Sequence, residues 1–113
     1  MPMRGDESED KACFFLKREG YRIVARNWRT QSGEVDIIAR DKDVLVFVEV
    51  KARTGDGFGG PEAAVDHAKQ RRLISAALAF IEKTQCDLPT RFDVVTIRPD
   101  EVHLYQDAFH VPD

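Results

Sequence analysis

The sequence has little of what marks a specialised class of protein. Of its 113 residues two are cysteines, Cys13 and Cys86, which show neither CxxC spacing nor a histidine at metal-ligand spacing. This argues against a disulfide scaffold and against a zinc site. We therefore expect two reduced thiols in a cytosolic protein.

Long hydrophobic runs are also missing. No stretch of about 18 apolar residues occurs, so no transmembrane helix is predicted. The N-terminal residues "MPMRGDESEDK" are acidic and lack the apolar core of a secretory signal. We expect a cytoplasmic protein that has no membrane association and no small-molecule cofactor.

Positive charge is not in excess, since the net charge is −3. Residues 1–10 contain one arginine and four acidic residues, so the remainder carries 16 basic and 16 acidic side chains. A neutral body argues against a protein held on DNA by bulk charge. It leaves room for local basic patches.

What is present predicts one domain over residues 1–113, with residues 1–6 flexible. Apolar periodicity indicates two helices, five strands and a glycine-rich loop. Asp6 and Asp66 are the candidate N-caps, and Gly20 is the predicted stop of the first helix. The predicted ranges are helices 7–18 and 67–83, strands 21–28, 34–40, 44–52, 91–97 and 101–106, a loop over 54–60, and a short helical turn over 61–65.

The element order αβββαββ predicts an α/β fold. The third and fourth strands flank a crossover helix, so they should be parallel with a right-handed connection. We therefore expect a mixed central sheet with a helix on each face. In the first strand, alternation predicts that Tyr21, Ile23 and Ala25 share one face.

Three charged residues interrupt the most hydrophobic part of the chain, "SGEVDIIARDKDVLVFVEVKAR". Glu49 and Lys51 lie on one face of their strand, and the short hairpin should bring Asp36 close to Glu49. In the simpler interpretation, Lys51 forms a salt bridge with Glu49 or Asp36 and does nothing else. In the alternative, the two carboxylates and an intervening backbone carbonyl hold Mg²⁺ or Mn²⁺, the ions that oxygen ligands favour.

Two further charges lie where helices should face the sheet. Glu9 heads the apolar stripe of the first helix (Ala12, Phe15, Leu16), and Lys69 heads that of the second (Leu73, Ala76, Ala77, Phe80, Ile81). Each alone is explained by a long side chain that reaches solvent from a helix end. Five charges at one locus favour a functional site.

These residues carry a family resemblance. Glu9, Asp36 and "EVK" at 49–51 resemble the PD-(D/E)XK nuclease core of restriction enzymes and Holliday-junction resolvases, with Val35 in place of the motif's proline. The segments "GYRIVARNWR", "GEVDIIARD", "LVFVEVKAR", "FGGPEAAV", "KQRRL" and "RFDVV" resemble the bacterial YraN family of nuclease-like proteins, over roughly residues 9–109. Ser8 stands where that family usually has glycine. The resemblance implies a restriction-endonuclease-like αβββαββ core.

The resemblance also implies a mechanism. Asp36, Glu49 and the Val50 carbonyl would hold the metal, with Glu9 contributing directly or through water. Lys51 would orient or deprotonate a water or stabilise developing charge. The expected contacts to a DNA backbone are Lys69, Arg53, Arg72, Arg29 and Arg26.

Two functions stay open at this stage. One is a Mg²⁺-dependent endonuclease that cuts DNA, including branched or damaged DNA. The other is a non-catalytic nucleic-acid-binding or protein-interaction module that keeps the fold. The loop 54–60 is either a lid or a plain connector, and Asp93 either joins the site or caps a neighbouring backbone. The sequence does not predict the oligomeric state.

Overall fold

The computed structural model describes residues 5–53 and 65–111. It contains seven regular elements in the predicted order αβββαββ. They are α1 (Gly5–Arg18), β1 (Arg22–Thr30), β2 (Gly33–Asp41), β3 (Val44–Ala52), α2 (His67–Thr84), β4 (Thr90–Arg98) and β5 (Glu101–Phe109). The loop predicted over 54–60 and most of the helical turn predicted over 61–65 lie outside the described residues.

The five strands form one sheet whose spatial order is the chain order, β1-β2-β3-β4-β5. Strands β3 and β4 are parallel, and the other neighbouring pairs are antiparallel. The prediction of a mixed α/β sheet is confirmed. The parallel pair requires a crossover, and α2 supplies it.

The two helices cover opposite faces of the sheet, as predicted. Ala12 and Leu16 of α1 pack with one set of strand residues, which includes Val46 and Val48. The other face belongs to α2, whose buried residues are Leu73, Ile74, Ala76, Ala77 and Phe80. Neither helix of the described ranges is long and apolar enough to cross a membrane.

The helix ends agree with the sequence at α2 and differ at α1. Asp66 caps α2, because its Oδ1 accepts a hydrogen bond of 2.8 Å from the Lys69 backbone N–H. Asp6 was the candidate cap of α1, but the helix already includes Gly5 and Asp6. That prediction is wrong, since Asp6 lies inside the first described turn.

The facing of β1 also differs from simple alternation. Its pairing with β2 shifts register between Ile23 and Ala25, so Ile23 packs on the α1 side and Ala25 on the α2 side. Asn27 adds a second irregularity with a φ of 55°. A bulge such as the one between Ile23 and Ala25 places an extra residue in one strand and changes which face the next side chain meets.

Candidate functional site

The predicted carboxylates meet where β2 and β3 stop pairing. The ladder runs from Asp41–Val44 to Ile37–Val48, and one step further places Asp36 opposite Glu49. Oδ2 of Asp36 accepts a hydrogen bond of 2.8 Å from the Val50 backbone N–H. The side chain of Asp36 thus takes an amide of the neighbouring strand, which fixes its carboxylate beside Glu49.

Glu49 is almost completely buried, with 4% of its surface exposed. Burial raises its pKa to about 8, helped by a hydrogen bond to Asp36 and by the negative charge of Asp36. That hydrogen bond requires a proton on one of the two carboxyl groups. Near neutral pH Glu49 therefore keeps its proton, because burial and a neighbouring carboxyl group disfavour its charged form.

The cation that faces Glu49 comes from α2. Nζ of Lys69 lies 3.3 Å from Oε1 of Glu49, and it opposes the rise in the pKa of Glu49. Lys51 follows Glu49 on the same strand but is exposed to solvent. The simpler sequence interpretation named the wrong lysine, because it considered strand neighbours and not the helix above them.

Glu9 approaches the same locus from the α1 side. Its pKa is raised, first by burial and then by the negative charge of Asp36. Its Oε1 is buried without a hydrogen-bond partner. Arg26 lies 3.7 Å from this oxygen but pairs more closely with Asp10, at 2.8 Å. Arg26, expected to contact DNA, is here bound to α1.

The chemistry of these donors suits a hard divalent cation. The adjacent carboxyl groups of Asp36 and Glu49, with a buried Glu9 oxygen nearby that accepts no hydrogen bond, are the oxygen ligands that Mg²⁺ and Mn²⁺ prefer. In the part of the chain that the structure describes, no three His, Cys, Asp or Glu side chains are grouped to hold a metal ion. The arrangement therefore provides a pair of carboxyl groups, and Glu9 lies near Asp36 but is not grouped with the pair.

A groove next to the pair collects three of the five predicted DNA contacts. It has a volume of about 460 Å³ and lies between the β1–β2 turn and the first turns of α2. Arg29, Lys69 and Arg72 line it, together with Glu34, which pairs with Arg29 at 2.9 Å. Lys69 belongs to both the groove and the carboxylate pair. Arg26 and Arg53 do not line the groove.

The walls of this groove are fastened to one another. The hydroxyls of Ser32 and Ser75 are 2.6 Å apart, and Nε1 of Trp28 donates to the Ala76 carbonyl at 3.1 Å. Gly33 packs so closely on α2 that a side chain there would overlap the carbonyl oxygen of Arg72. The glycine therefore allows the β1–β2 turn to lie directly against α2.

Asp93 belongs to a second polar cluster, and its partners in that cluster were not predicted from the sequence. Asp93 is completely buried and accepts hydrogen bonds from Tyr21, Arg91 and the Asp107 backbone N–H. Burial raises the pKa of Tyr21 to about 12, and its hydrogen bond to Asp93 adds to this. Every oxygen of Asp93 is satisfied, so it matches the predicted alternative of a backbone cap. Asp107 has a φ of 55°, a bulge that frees its amide for Asp93.

Comparison with known proteins agrees with the resemblance of the motifs. A UPF0102 protein of Desulfosudis oleivorans is 47% identical over 108 residues, covering 93% of this chain and 88% of the relative. A second, from Symbiobacterium thermophilum, is 47% identical over 112 residues, covering 94% and 95%. A third, from Thermodesulfovibrio yellowstonii, is 41% identical over 105 residues, covering 93% and 94%. Residues 8–97 match the sequence profile described as "Uncharacterised protein family UPF0102", and the chain belongs to that family.

Proposed function

We propose that this protein is a metal-dependent nuclease that hydrolyses phosphodiester bonds of DNA, including branched or damaged DNA. The observation that carries the proposal is Glu49, a buried carboxyl group hydrogen-bonded to Asp36, whose pKa is raised to about 8. Burying such a pair disfavours its charged form. A divalent cation bound to the pair would offset the cost of burying its charged form. A purely structural role would give no reason to place two carboxyl groups together in a buried position.

Different residues of the chain would have different roles in this reaction. Asp36 and Glu49 would hold the ion, and the hydrogen bond from the Val50 amide keeps Asp36 in place. The ion supplies positive charge and Lewis acidity for phosphodiester hydrolysis. Lys51 is exposed next to Glu49, where it can orient a water molecule or meet developing negative charge.

The groove supports a phosphate-rich substrate. Arg29, Lys69 and Arg72 present three cations against one carboxylate, Glu34, and Arg72 is exposed. Cations of this kind contact phosphates without reading the sequence. Because residues 11–113 carry equal numbers of basic and acidic side chains, binding would depend on these few contacts, which favours recognition of a DNA structure over binding to long duplexes.

The test uses linear, nicked, flapped and four-way DNA with Mg²⁺, with Mn²⁺ or with EDTA. Wild type should cleave at least one substrate with metal and none in EDTA, and Glu49→Gln should be inactive because it cannot become a second carboxylate. Glu82→Gln is the matched control, since Glu82 is an exposed glutamate on α2. Equal cleavage by Glu49→Gln and wild type would overturn the proposal.

The second candidate is a nucleic-acid-binding module without chemistry. The observation that favours it is the absence, within the described ranges, of three grouped metal-ligating side chains. In the same assays such a module would bind DNA equally well with metal and with EDTA and would leave every substrate intact.

A further inference from the structure

Lys69 has two alternative partners. Its ammonium lies 3.3 Å from the buried Oε1 of Glu49, and its side chain, 38% exposed, also lines the groove with Arg29 and Arg72. A flexible four-carbon stem lets one ammonium serve either side without movement of the backbone. The two partners differ in chemistry, one a carboxylate and the other an incoming phosphate.

We propose that Lys69 exchanges between two partners. It is held by Glu49 until Glu49 binds a divalent cation, and it is then released into the groove, where it binds a DNA phosphate. The proposal deepens the proposed function and rests on it. Lys69 would bind the substrate directly and would also link the state of the carboxylate pair to the affinity of the neighbouring groove.

The neighbouring charges support this assignment. Arg29 is held in the groove by Glu34 at 2.9 Å, and Arg26 is held away from it by Asp10 at 2.8 Å. Arg72 faces the groove and is exposed. Lys69 is thus the cation of the groove that pairs with a residue of the predicted metal site, Glu49. A divalent ion at Glu49 would repel the ammonium and compete for its oxygen, so metal binding and phosphate binding should be reciprocally coupled.

The coupling can be tested without any metal, because truncating Glu49 should release Lys69 as a metal would. DNA affinity is measured in EDTA by fluorescence anisotropy for wild type, Glu49→Ala, Lys69→Met and the double variant. Glu49→Ala should bind DNA on the order of tenfold more tightly than wild type, as gain of one charge-assisted contact allows. The slope of log affinity against log salt should steepen by about 0.9, the value for one phosphate of duplex DNA.

The double variant separates release of Lys69 from simple loss of a negative charge. If Lys69 carries the effect, Glu49→Ala should change DNA affinity little in the Lys69→Met background. Arg72→Met is the matched groove variant, and in its background the gain from Glu49→Ala should persist. Glu49→Gln replaces Glu49→Ala if thermal melting shows that the alanine variant is unfolded.

The outcomes distinguish the two proposals. A gain of equal size in the Lys69→Met background, or no gain in the wild-type background, overturns the role of Lys69 and leaves the nuclease proposal standing. Failure of wild type and every variant to bind DNA, with EDTA or with Mg²⁺, overturns both.

Discussion

Replacing Glu49 by glutamine should stabilise the metal-free protein at alkaline pH. The folded-state pKa of Glu49 is about 8 against an ordinary value of 4.5. The protonated form of Glu49 contributes to the free energy of unfolding. This contribution is complete below about pH 4.5 and is lost as the pH rises through 8. At 1.36 kcal/mol per pKa unit the loss is up to about 5 kcal/mol.

Glutamine keeps the shape of the protonated side chain and cannot ionise. Between pH 5.5 and 8 the unfolding free energy of Glu49→Gln should therefore rise by about 3 kcal/mol relative to wild type, and then level off. Urea titrations in EDTA give these free energies, with Trp28 as the intrinsic probe because it is the one tryptophan of the sequence and packs edge-on against Phe80. Glu82→Gln, an exposed change of the same kind, should show no such trend.

Mg²⁺ provides the second half of the measurement. An ion that binds only the folded state at a hundred times its Kd stabilises it by about 2.7 kcal/mol, so Mg²⁺ should raise the Tm of wild type at pH 8 and leave that of Glu49→Gln unchanged. The reasoning is refuted if Glu49→Gln is instead less stable than wild type by about 3–5 kcal/mol at pH 8, the cost of breaking a buried ion pair. Glu49 and Lys69 would then be a structural salt bridge.

Three further predictions use other parts of the structure. Asp93→Asn should destabilise the protein by about 3–5 kcal/mol at neutral pH, with or without Mg²⁺, because a fully satisfied buried carboxylate loses its charge-assisted bonds; a urea midpoint equal to that of wild type would contradict this. Gly33→Ala should cost about 1–3 kcal/mol, since its new methyl group would overlap the Arg72 carbonyl, and Gln31→Ala in the same turn should lower the Tm less. The salt dependence of DNA binding by wild type should have a log–log slope of about −2 to −3, as expected for two or three phosphate contacts in one groove; a slope near −10 would contradict the neutral-body argument.

The sequence predicted the part of the site that depends on local geometry. Strand alternation and a short turn are enough to bring Asp36 and Glu49 together, and helical periodicity is enough to direct Glu9 and Lys69 toward the sheet. The partner of Glu49 was not predictable in this way. Its distance from Lys69 depends on how α2 lies across β3, which is set by packing of the whole crossover.

The features of the structure that the sequence did not predict depend on contacts between residues far apart in the chain. Asp93 meets Tyr21 across 72 positions, and no local pattern announces such a pair. The register shift between Ile23 and Ala25 reverses the facing of β1 relative to simple alternation. Bulges are set by the partner strand and by the packing on both faces, so a periodicity of two along one strand cannot reveal them.

The order of strands in the sheet bears on how the site assembles in time. Strands β1, β2 and β3 follow one another in chain and in space, so they close with local contacts, whereas α2 must return across the sheet after a longer connection. The hairpin of β2 and β3 would therefore bring Asp36 and Glu49 together before Lys69 arrives. The repulsion between the two carboxylates should then slow folding. The contact of Lys69 with Glu49 forms later and should therefore slow unfolding.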